Sequence, residues 1–305
     1  MPDQRVGPLV LALFGPTGVG KTEIALAVAD RLRSRGHDPV AVSADALQVY
    51  RGLETLTGAA DSAQRARLEH RLLSFVDVRD TFSVGEYARR AHAEIDVALM
   101  TGRWPLVVGG TGLYLQAALC DLDLRPPPPP RLRTELQAEL EELGPDVLHA
   151  RLHALAPARA AGIATADGRR IVRALEVIEM GQSPAPAGPD SRLWTAHLRH
   201  PTALFGLVME RSALYERIGQ RVDAMVAAGA ADEVSAVQKA GASTTARQAL
   251  GFRQLLAGDV DAMRRDTRRY AKRQLTWLRK LRGIAVIDVT GRTHDAVADE
   301  IVSRG

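Results

Sequence analysis

The sequence predicts an α/β protein with an open parallel sheet of the P-loop type, flanked by helices. A continuous apolar run, Val10–Phe14, is followed by the glycine-rich residues 15–22 and then by a helical pattern. Two further short apolar runs, Val40–Ser43 and Leu106–Val108, are separated by a helix that begins at the capping box Ser83–Glu86. Alternation of buried strands with helices is typical of a parallel sheet with crossover helices.

A second, all-helical domain interrupts this α/β core in the sequence. The consecutive prolines Pro126–Pro130 predict a stiff extended connection, because proline neither continues a helix nor pairs in a central strand. Apolar residues then recur at helical spacing, and strand character returns at Phe205–Met209. The predicted domains are residues 1–120 for the first part of the core, 121–193 for the helical insertion, and 194–305 for the second part of the core with basic C-terminal helices.

Composition favours a folded cytoplasmic protein with no membrane partner. Of 305 residues, 46% are hydrophobic and 25% are charged, which supplies enough apolar material for a full core. No uncharged apolar run reaches the roughly eighteen residues of a membrane span, and the N-terminus lacks the features of a signal peptide. The single cysteine, Cys120, excludes an internal disulfide and a thiolate metal cluster, and we expect it to be buried.

A phosphate-binding loop follows the first predicted strand. Its glycines let backbone N–H groups turn toward a diphosphate, Lys21 supplies a positive charge to the terminal phosphate, and the Thr22 hydroxyl suits Mg²⁺. The strand before it and the helix after it are the context that this motif requires. The motif alone does not reveal which phosphate ester it binds. The predicted diphosphate-binding residues are Gly15, Pro16, Thr17, Gly18, Val19, Gly20, Lys21 and Thr22.

A carboxylate stands just after the second predicted strand, where open α/β sheets bind their ligands. This residue, Asp45, is followed by Gln48, whose amide can pair with a base edge, and by Tyr50, which can serve as an aromatic platform. Asp45 by itself could equally cap the turn that follows it. The three side chains together favour a role for Asp45 in catalysis.

The C-terminal part of the chain contains a concentrated run of basic residues. Between Arg264 and Arg282 there are nine Lys or Arg residues against one acid, Asp266, whereas the net charge of the whole chain is only +4. Such a run predicts a surface that binds a polyanion. The alternative is an ordinary solvated helix face, although such a face usually mixes charges of both signs to form i,i+4 pairs.

Five separated motifs resemble those of bacterial tRNA dimethylallyltransferases and occur in the same order. The segments Arg211–Val222 and Leu250–Arg253 are also similar to that family. The resemblance therefore spans nearly the whole chain, and five motifs in order are far more specific than any one of them. The motifs are GPTGVGKT at residues 15–22, Ser43–Gly52, Val107–Tyr114, Arg169–Glu176 and Arg268–Trp277.

The resemblance implies that the loop binds dimethylallyl diphosphate rather than ATP. It implies transfer of the dimethylallyl group to the exocyclic N6 of the adenosine at tRNA position 37, beside the anticodon, with release of diphosphate. Asp45 would be the general base, Thr17, Lys21 and Arg211 would bind the leaving diphosphate, and Thr22 would be the hydroxyl beside Mg²⁺.

The resemblance further implies that the helical insertion closes over the anticodon stem-loop of tRNA, and we expect the protein to be a monomer. The basic run would contribute to the same surface, because its Lys and Arg residues can neutralise the negatively charged phosphates of the tRNA backbone. The residues implied in tRNA contact are Asp45, Gln48, Thr111, Arg169, Arg170, Arg173, Arg268, Arg269, Lys272 and Arg273.

The chain also departs from the family in places, and proteins with different functions share some of its features. Ala46 stands where a serine is usual, and Thr57–Ala60 stands where a Gly-Thr-Ala-Lys-Pro stretch is usual, so that a positive charge is missing. An adenylate isopentenyltransferase would share the P-loop and Asp45 but would not require the insertion or the basic run. A small-molecule kinase or a noncatalytic RNA-binding module could also carry a P-loop. Arg170 and Arg173 could instead form ion pairs within their own helix.

Overall fold

The computed structural model describes residues 9–183 and 197–305. All neighbouring strands of its sheet are parallel, which confirms the predicted fold class. The strands are β1 Val10–Phe14, β2 Pro39–Ser43, β3 His70–Arg71, β4 Trp104–Gly109, β5 Thr202–Val208 and β6 Ala285–Asp288. Across the sheet they follow the order β3-β2-β4-β1-β5-β6. The two-residue β3 was not predicted, because so short a strand leaves no period in the sequence.

The described residues form two compact units, 9–121 with 197–305 and 122–183. The predicted boundary at residues 193–194 lies outside the described residues. No helix of the described part is long and apolar enough to cross a membrane. In the first unit the helices are α1 Lys21–Ser34, α2 Glu54–Thr57, α3 Ser62–Arg67, α4 Val84–Met100, α5 Gly112–Leu119, then α9 Arg211–Ala227, α10 Ala230–Lys239, α11 Phe252–Leu256, α12 Val260–Leu278 and α13 His294–Arg304. In the second unit they are α6 Pro130–Leu155, α7 Pro157–Ala160 and α8 Gly168–Glu179.

Strand β1 lies in the middle of the sheet, between β4 and β5, and all of its residues are buried. Leu11 and Leu13 pack in one core with Ile24 and Val28 of α1 and with Ile301 of α13. A parallel strand covered on both faces reads as a continuous apolar run, as this one does. The loop that follows β1 is therefore anchored on the most buried part of the unit.

Helix α4 begins at the predicted capping box, which the structure confirms. Ser83 Oγ accepts a hydrogen bond from the backbone N–H of Glu86 at 3.2 Å, and Glu86 Oε2 accepts one from the backbone N–H of Ser83 at 3.2 Å. The Tyr87 hydroxyl one residue further on is buried and donates to the backbone carbonyl of Ser43 at 3.0 Å. This bond holds the start of α4 against the carboxyl end of β2.

The predicted burial of Cys120 is confirmed. Its Sγ donates to Gln116 Oε1 at 3.0 Å, and burial raises the pKa of the thiol to about 11. A thiol with so high a pKa forms little thiolate near neutral pH and is a poor nucleophile. Cys120 is therefore a packing residue at the end of α5.

The regular structure of the second unit is all helical within its described residues, as the sequence predicts. Its longest helix, α6, is interrupted at Gly144, where φ is 80°, directly before Pro145. The two halves of α6 pack with α8 around a core that contains Leu136, Leu152 and Ile171. This unit thus has an apolar core of its own.

Candidate active site

The loops after β1 and β2 and the carboxyl end of β4 line a cavity of about 560 Å³. In a parallel sheet the carboxyl ends of neighbouring strands lie at one edge, which brings these three parts of the chain together. Thr17, Lys21, Thr22, Asp45 and Gln48, all predicted from the sequence, line the cavity. A cavity of this size is typical of sites for small organic ligands.

The phosphate-binding loop has the conformation that its glycines allow. Gly18 and Gly20 have φ angles of 84° and 97°, in the left-handed region that favours glycine. The Lys21 ammonium lies inside the loop and donates to the backbone carbonyls of Gly15 and Pro16, each at 2.9 Å. Burial lowers the pKa of Lys21 to about 8. The loop therefore presents a buried cation whose charge is sensitive to mildly alkaline pH.

Asp45 both caps a turn and faces the cavity. Its Oδ1 accepts hydrogen bonds from the backbone N–H groups of Leu47 at 2.9 Å and Gln48 at 3.4 Å. Among the described residues both hydrogen bonds to this carboxylate end on Oδ1. Asp45 thus caps the turn that follows it, which is the structural role considered in the sequence analysis. The cap uses Oδ1, so Oδ2 is able to accept a proton from a bound molecule.

Gln48 and Tyr50 differ from their predicted use. The Gln48 Nε2 group donates to the carbonyls of Thr57 at 3.3 Å and Gly58 at 3.2 Å, while its Oε1 accepts from Ser43 Oγ at 3.3 Å. Tyr50 is only 1% exposed, so the prediction of an aromatic platform there is wrong. The segment around Thr57 takes up the Gln48 amide, and the buried Tyr50 hydroxyl lies 2.6 Å from Thr245 Oγ1.

Helix α12 reaches the phosphate-binding loop through a residue that the sequence analysis missed. Gln274 is 4% exposed, its Oε1 accepts from the backbone N–H of Thr17 at 2.8 Å, and its Nε2 donates to the carbonyl of Gly110 at 2.8 Å. Nearby, Thr111 Oγ1 lies 3.4 Å from the Tyr270 hydroxyl. The available signal was a neutral amide on the buried face of a helix that is otherwise strongly basic.

The cations of α9 that line the cavity are not the one predicted. Arg211 is exposed at the start of α9, with its guanidinium 5.1 Å from the centroid of the Tyr215 ring. Arg217 and Arg221, which lie one turn apart, line the cavity instead. At about 100° per residue, Arg211 points to a different face of the helix from these two. Arg211, predicted to bind the diphosphate, therefore does not line this cavity, whereas Arg217 and Arg221 do.

More cations than carboxylates line the cavity. Lys21, Arg217 and Arg221 line it together with the carboxylates Asp45 and Glu23. Burial lowers the pKa of Arg221, and the neighbouring Asp45 carboxylate opposes that shift. Burial strengthens the interaction of these charges with an anion because the local dielectric is low. The arrangement suits a compact group with several negative charges.

The cavity also has an apolar wall. Leu47, Leu56, Met225, Leu250 and Met263 line it, supplied by the segment after β2, by α9, by the residues before α11 and by α12. Methionine side chains adapt to irregular apolar ligands. A ligand with a short hydrocarbon chain attached to an anionic group would match both parts of the cavity.

The basic run is less free than its composition suggests. Asp residues from outside and inside the run neutralise part of it, whereas the sequence analysis counted only the one acid within the run. Lys272 is exposed on α12. The ion pairs are Arg264 with Asp223 and Asp261, Arg265 with Asp259 at 3.7 Å, and Arg269 with Asp266 at 3.1 Å.

Two arginines share one tyrosine ring on this surface. The Arg268 guanidinium lies 5.4 Å from the centroid of the Tyr215 ring, on which Arg211 also lies. Arg273 lies similarly over Tyr270, at 5.5 Å. Among the described residues neither Arg211 nor Arg268 has a carboxylate within ion-pair distance. We refer to Arg211, Tyr215 and Arg268 as the two-arginine cluster.

In the second unit, two of the three predicted tRNA contacts are engaged within the protein. Arg170 pairs with Asp167 at 3.4 Å, and Arg173 pairs at 3.0 Å with Glu176, which is 1% exposed. Arg173 also donates to backbone carbonyls of the proline-rich connection. The ion pairs considered for this helix in place of tRNA contact are therefore present, while Arg169 is exposed.

Comparison with known proteins identifies the family. A model of the IPP transferase family matches residues 48–281. The chain belongs to the IPP transferase family. A tRNA dimethylallyltransferase of Thermobifida fusca is 42% identical over 283 residues, which cover 89% of this chain and 87% of the relative. One of Streptomyces coelicolor is 41% identical over 287 residues, with coverages of 90% and 88%.

Solved structures agree with this family assignment. The crystal structure of a tRNA isopentenylpyrophosphate transferase from Bacillus halodurans matches with a TM-score of 0.69 at 32% identity. The match covers 97% of this chain and 95% of that one. The similarity to this solved transferase therefore spans nearly the whole chain.

The residues around Thr22 fit the Mg²⁺ that the sequence analysis expects, provided that a diphosphate is bound. No group of three or more His, Cys, Asp or Glu side chains within residues 9–183 and 197–305 could hold a metal ion. Magnesium commonly takes only one or two protein ligands and completes its shell with phosphate oxygens and water. Thr22 lines the cavity, and its hydroxyl would supply one such ligand.

The lowered pKa of Lys21 predicts that diphosphate binding weakens as pH rises through about 8, because the free protein then loses this cation. One pH unit above the pKa, about nine-tenths of the ammonium is deprotonated, so the affinity for inorganic diphosphate should fall by up to about tenfold. Isothermal titration calorimetry in two buffers of different ionisation enthalpy should detect the proton taken up on binding. Lys21→Arg is the control, because it keeps its charge. Equal proton uptake by the two proteins would contradict the assignment.

Proposed function

We propose that this IPP transferase moves a dimethylallyl group from dimethylallyl diphosphate to the exocyclic N6 of the adenosine at tRNA position 37, beside the anticodon. The observation that carries the proposal is that the Asp45 carboxylate, the cations Lys21, Arg217 and Arg221, and an apolar wall face one cavity. The tRNA dimethylallyltransferase names of its relatives support the acceptor.

The donor end of the cavity suits an allylic diphosphate. The diphosphate would lie against the phosphate-binding loop, and the five-carbon chain would lie against Leu56, Met225 and Met263. As the C–O bond of the donor breaks, negative charge grows on the departing diphosphate. Lys21, Arg217 and Arg221 would neutralise that charge where it develops, which lowers the barrier. Mg²⁺, held by the diphosphate and Thr22, would add positive charge to the same leaving group.

At the acceptor end Asp45 would serve as the general base. The adenine N6 amine is a poor nucleophile because its lone pair is delocalised into the ring. As the new C–N bond forms, one N6 proton passes to Asp45 Oδ2, and diphosphate leaves with the electrons of the broken C–O bond. The hydrogen bonds from Leu47 and Gln48 to Oδ1 would fix the orientation of the carboxylate during this step.

The two-arginine cluster would contact the tRNA backbone, together with Lys272 and Arg273 of α12. An aromatic ring attracts a guanidinium without neutralising it, so that its terminal N–H groups can still bind phosphate. The proposed acceptor, tRNA, implies that the enzyme works in the cytoplasm.

An acceptor assay tests the proposal directly. Labelled dimethylallyl diphosphate should transfer its prenyl group to unmodified tRNA that carries adenosine beside the anticodon, and AMP at equal concentration should be a poor substitute. Equal use of AMP would indicate an adenylate isopentenyltransferase. ATP turnover without prenyl transfer would indicate a kinase, and tRNA binding without any turnover would indicate a noncatalytic RNA-binding module.

Asp45→Asn should reduce single-turnover prenyl transfer by roughly a hundred- to ten-thousandfold, because the amide keeps the shape of the side chain but has no basicity. The affinity for tRNA and the melting temperature should stay close to those of the wild type, since the amide oxygen still accepts the bond from Leu47. Transfer at the wild-type rate would show that Asp45 only caps its turn.

Replacing Arg211 and Arg268 by Gln should flatten the dependence of log affinity for tRNA on log salt, by about one for each phosphate that the variant no longer binds. The matched control is Arg265→Gln with Arg269→Gln, which removes two arginines that already have Asp partners. The control should change the slope of log affinity against log salt less than the cluster variant does. Because phosphate contacts do not depend on base sequence, this difference should be the same for all tRNAs. If both double variants flattened the slope equally, the cluster would have no special part in binding.

A further inference from the structure

A short segment beside the cavity, residues 54–60, is held by two side chains, one from a helix far away in sequence and one from the loop after β2. We call it the 54–60 segment. At its start, the Glu233 carboxylate of α10 accepts hydrogen bonds from the backbone N–H groups of Thr55 at 2.8 Å and Leu56 at 2.7 Å. At its end, Gln48 Nε2 donates to the carbonyls of Thr57 and Gly58. The backbone of the segment is therefore held in one position by side-chain hydrogen bonds.

Both N–H donors of the Gln48 amide are used within the protein. An amide has two N–H donors, and the two carbonyls of the 54–60 segment take both of them. Its oxygen accepts from Ser43 Oγ at 3.3 Å. Pairing with a base edge would require Gln48 to release the segment, and the released carbonyls would then need new partners. These hydrogen bonds indicate that Gln48 holds the 54–60 segment in place.

The 54–60 segment in turn holds the guanidinium of Arg221. Arg221 Nη2 donates to the carbonyl of Thr57 at 3.3 Å. Gly58 has a φ of 57°, and a methyl group added there would lie 2.7 Å from Arg221 Cζ and would overlap its Nη2. It would also approach Met225 Cε at 3.1 Å. The guanidinium thus occupies space that exists only because residue 58 has no side chain.

We propose that Gly58 and Gln48 are positioning residues that set the Arg221 guanidinium against the diphosphate of the donor. The inference rests on the proposed function, in which Arg221 neutralises the leaving group. Gly58 supplies the room for the guanidinium, Gln48 fixes the segment that accepts its hydrogen bond, and Glu233 anchors the other end of that segment. Neither Gly58 nor Gln48 itself touches the reacting atoms.

Gly58→Ala should weaken the binding of inorganic diphosphate by on the order of tenfold, a part of the hundredfold or more that removing a charge-stabilising donor costs in turnover. The KM for the donor should rise with it, while the affinity for tRNA stays unchanged. Gly102→Ala is the matched control, because Gly102 also has a positive φ, 73°, but nothing lies within 4 Å of an added methyl group. It should retain wild-type affinity for diphosphate.

A double variant separates displacement of Arg221 from general strain. Lysine lacks the fork that would overlap the added methyl group, so Gly58→Ala should weaken diphosphate binding much less in an Arg221→Lys background than in the wild type. Additive losses would overturn the proposal. So would wild-type diphosphate affinity in folded Gly58→Ala.

Gln48→Leu provides an independent test without any added clash. We expect it to weaken diphosphate binding in the same direction as Gly58→Ala and to leave tRNA affinity intact. Loss of tRNA affinity with normal diphosphate affinity would instead show that Gln48 contacts the acceptor. Since the probe is inorganic diphosphate, these measurements stand even if the wild type failed to transfer a prenyl group to tRNA, which would refute the proposed function alone.

Discussion

One buried amide, that of Gln274, joins helix α12 to the loops that form the site. Its oxygen and nitrogen are both used, by the N–H of Thr17 and the carbonyl of Gly110. Leaving either group unpaired in the interior would cost on the order of 1–3 kcal/mol, so the three parts are held in one arrangement. The same helix brings Met263 and Tyr270 to the cavity. Helix α12 is thereby connected to the phosphate-binding loop, which lies more than 250 residues earlier in the chain.

Two cations of the cavity are hydrogen-bonded to backbone carbonyls of the protein. The Lys21 ammonium donates to carbonyls of its own loop, and burial lowers its pKa. A diphosphate would offer stronger, charged acceptors in place of those carbonyls. Arg221 is also partnered by a carbonyl, that of Thr57. Both cations are therefore held in place by neutral groups, which orient them without cancelling their charge.

The sequence predicted those parts of the site whose chemistry is local in the chain. The phosphate-binding loop and Asp45 follow buried strands at short range, so their positions at the sheet edge could be inferred. Arg217 and Arg221 could not, because their selection over Arg211 depends on the rotational phase of α9 against the cavity. The use of the Gln48 amide depends on a segment whose anchor, Glu233, is far away in sequence. Contacts of that kind leave no local pattern.

The basic run shows why a count of charges overestimates a binding surface. Its arginines project to several sides of α12, and carboxylates on other elements, such as Asp223 of α9, meet some of them. An i,i+4 analysis of one helix does not include such partners. What distinguishes Arg268 is the Tyr215 ring beneath it, which attracts the guanidinium without neutralising it. The tyrosines of α9 and α12, more than the number of arginines, therefore decide which positive charges face a polyanion.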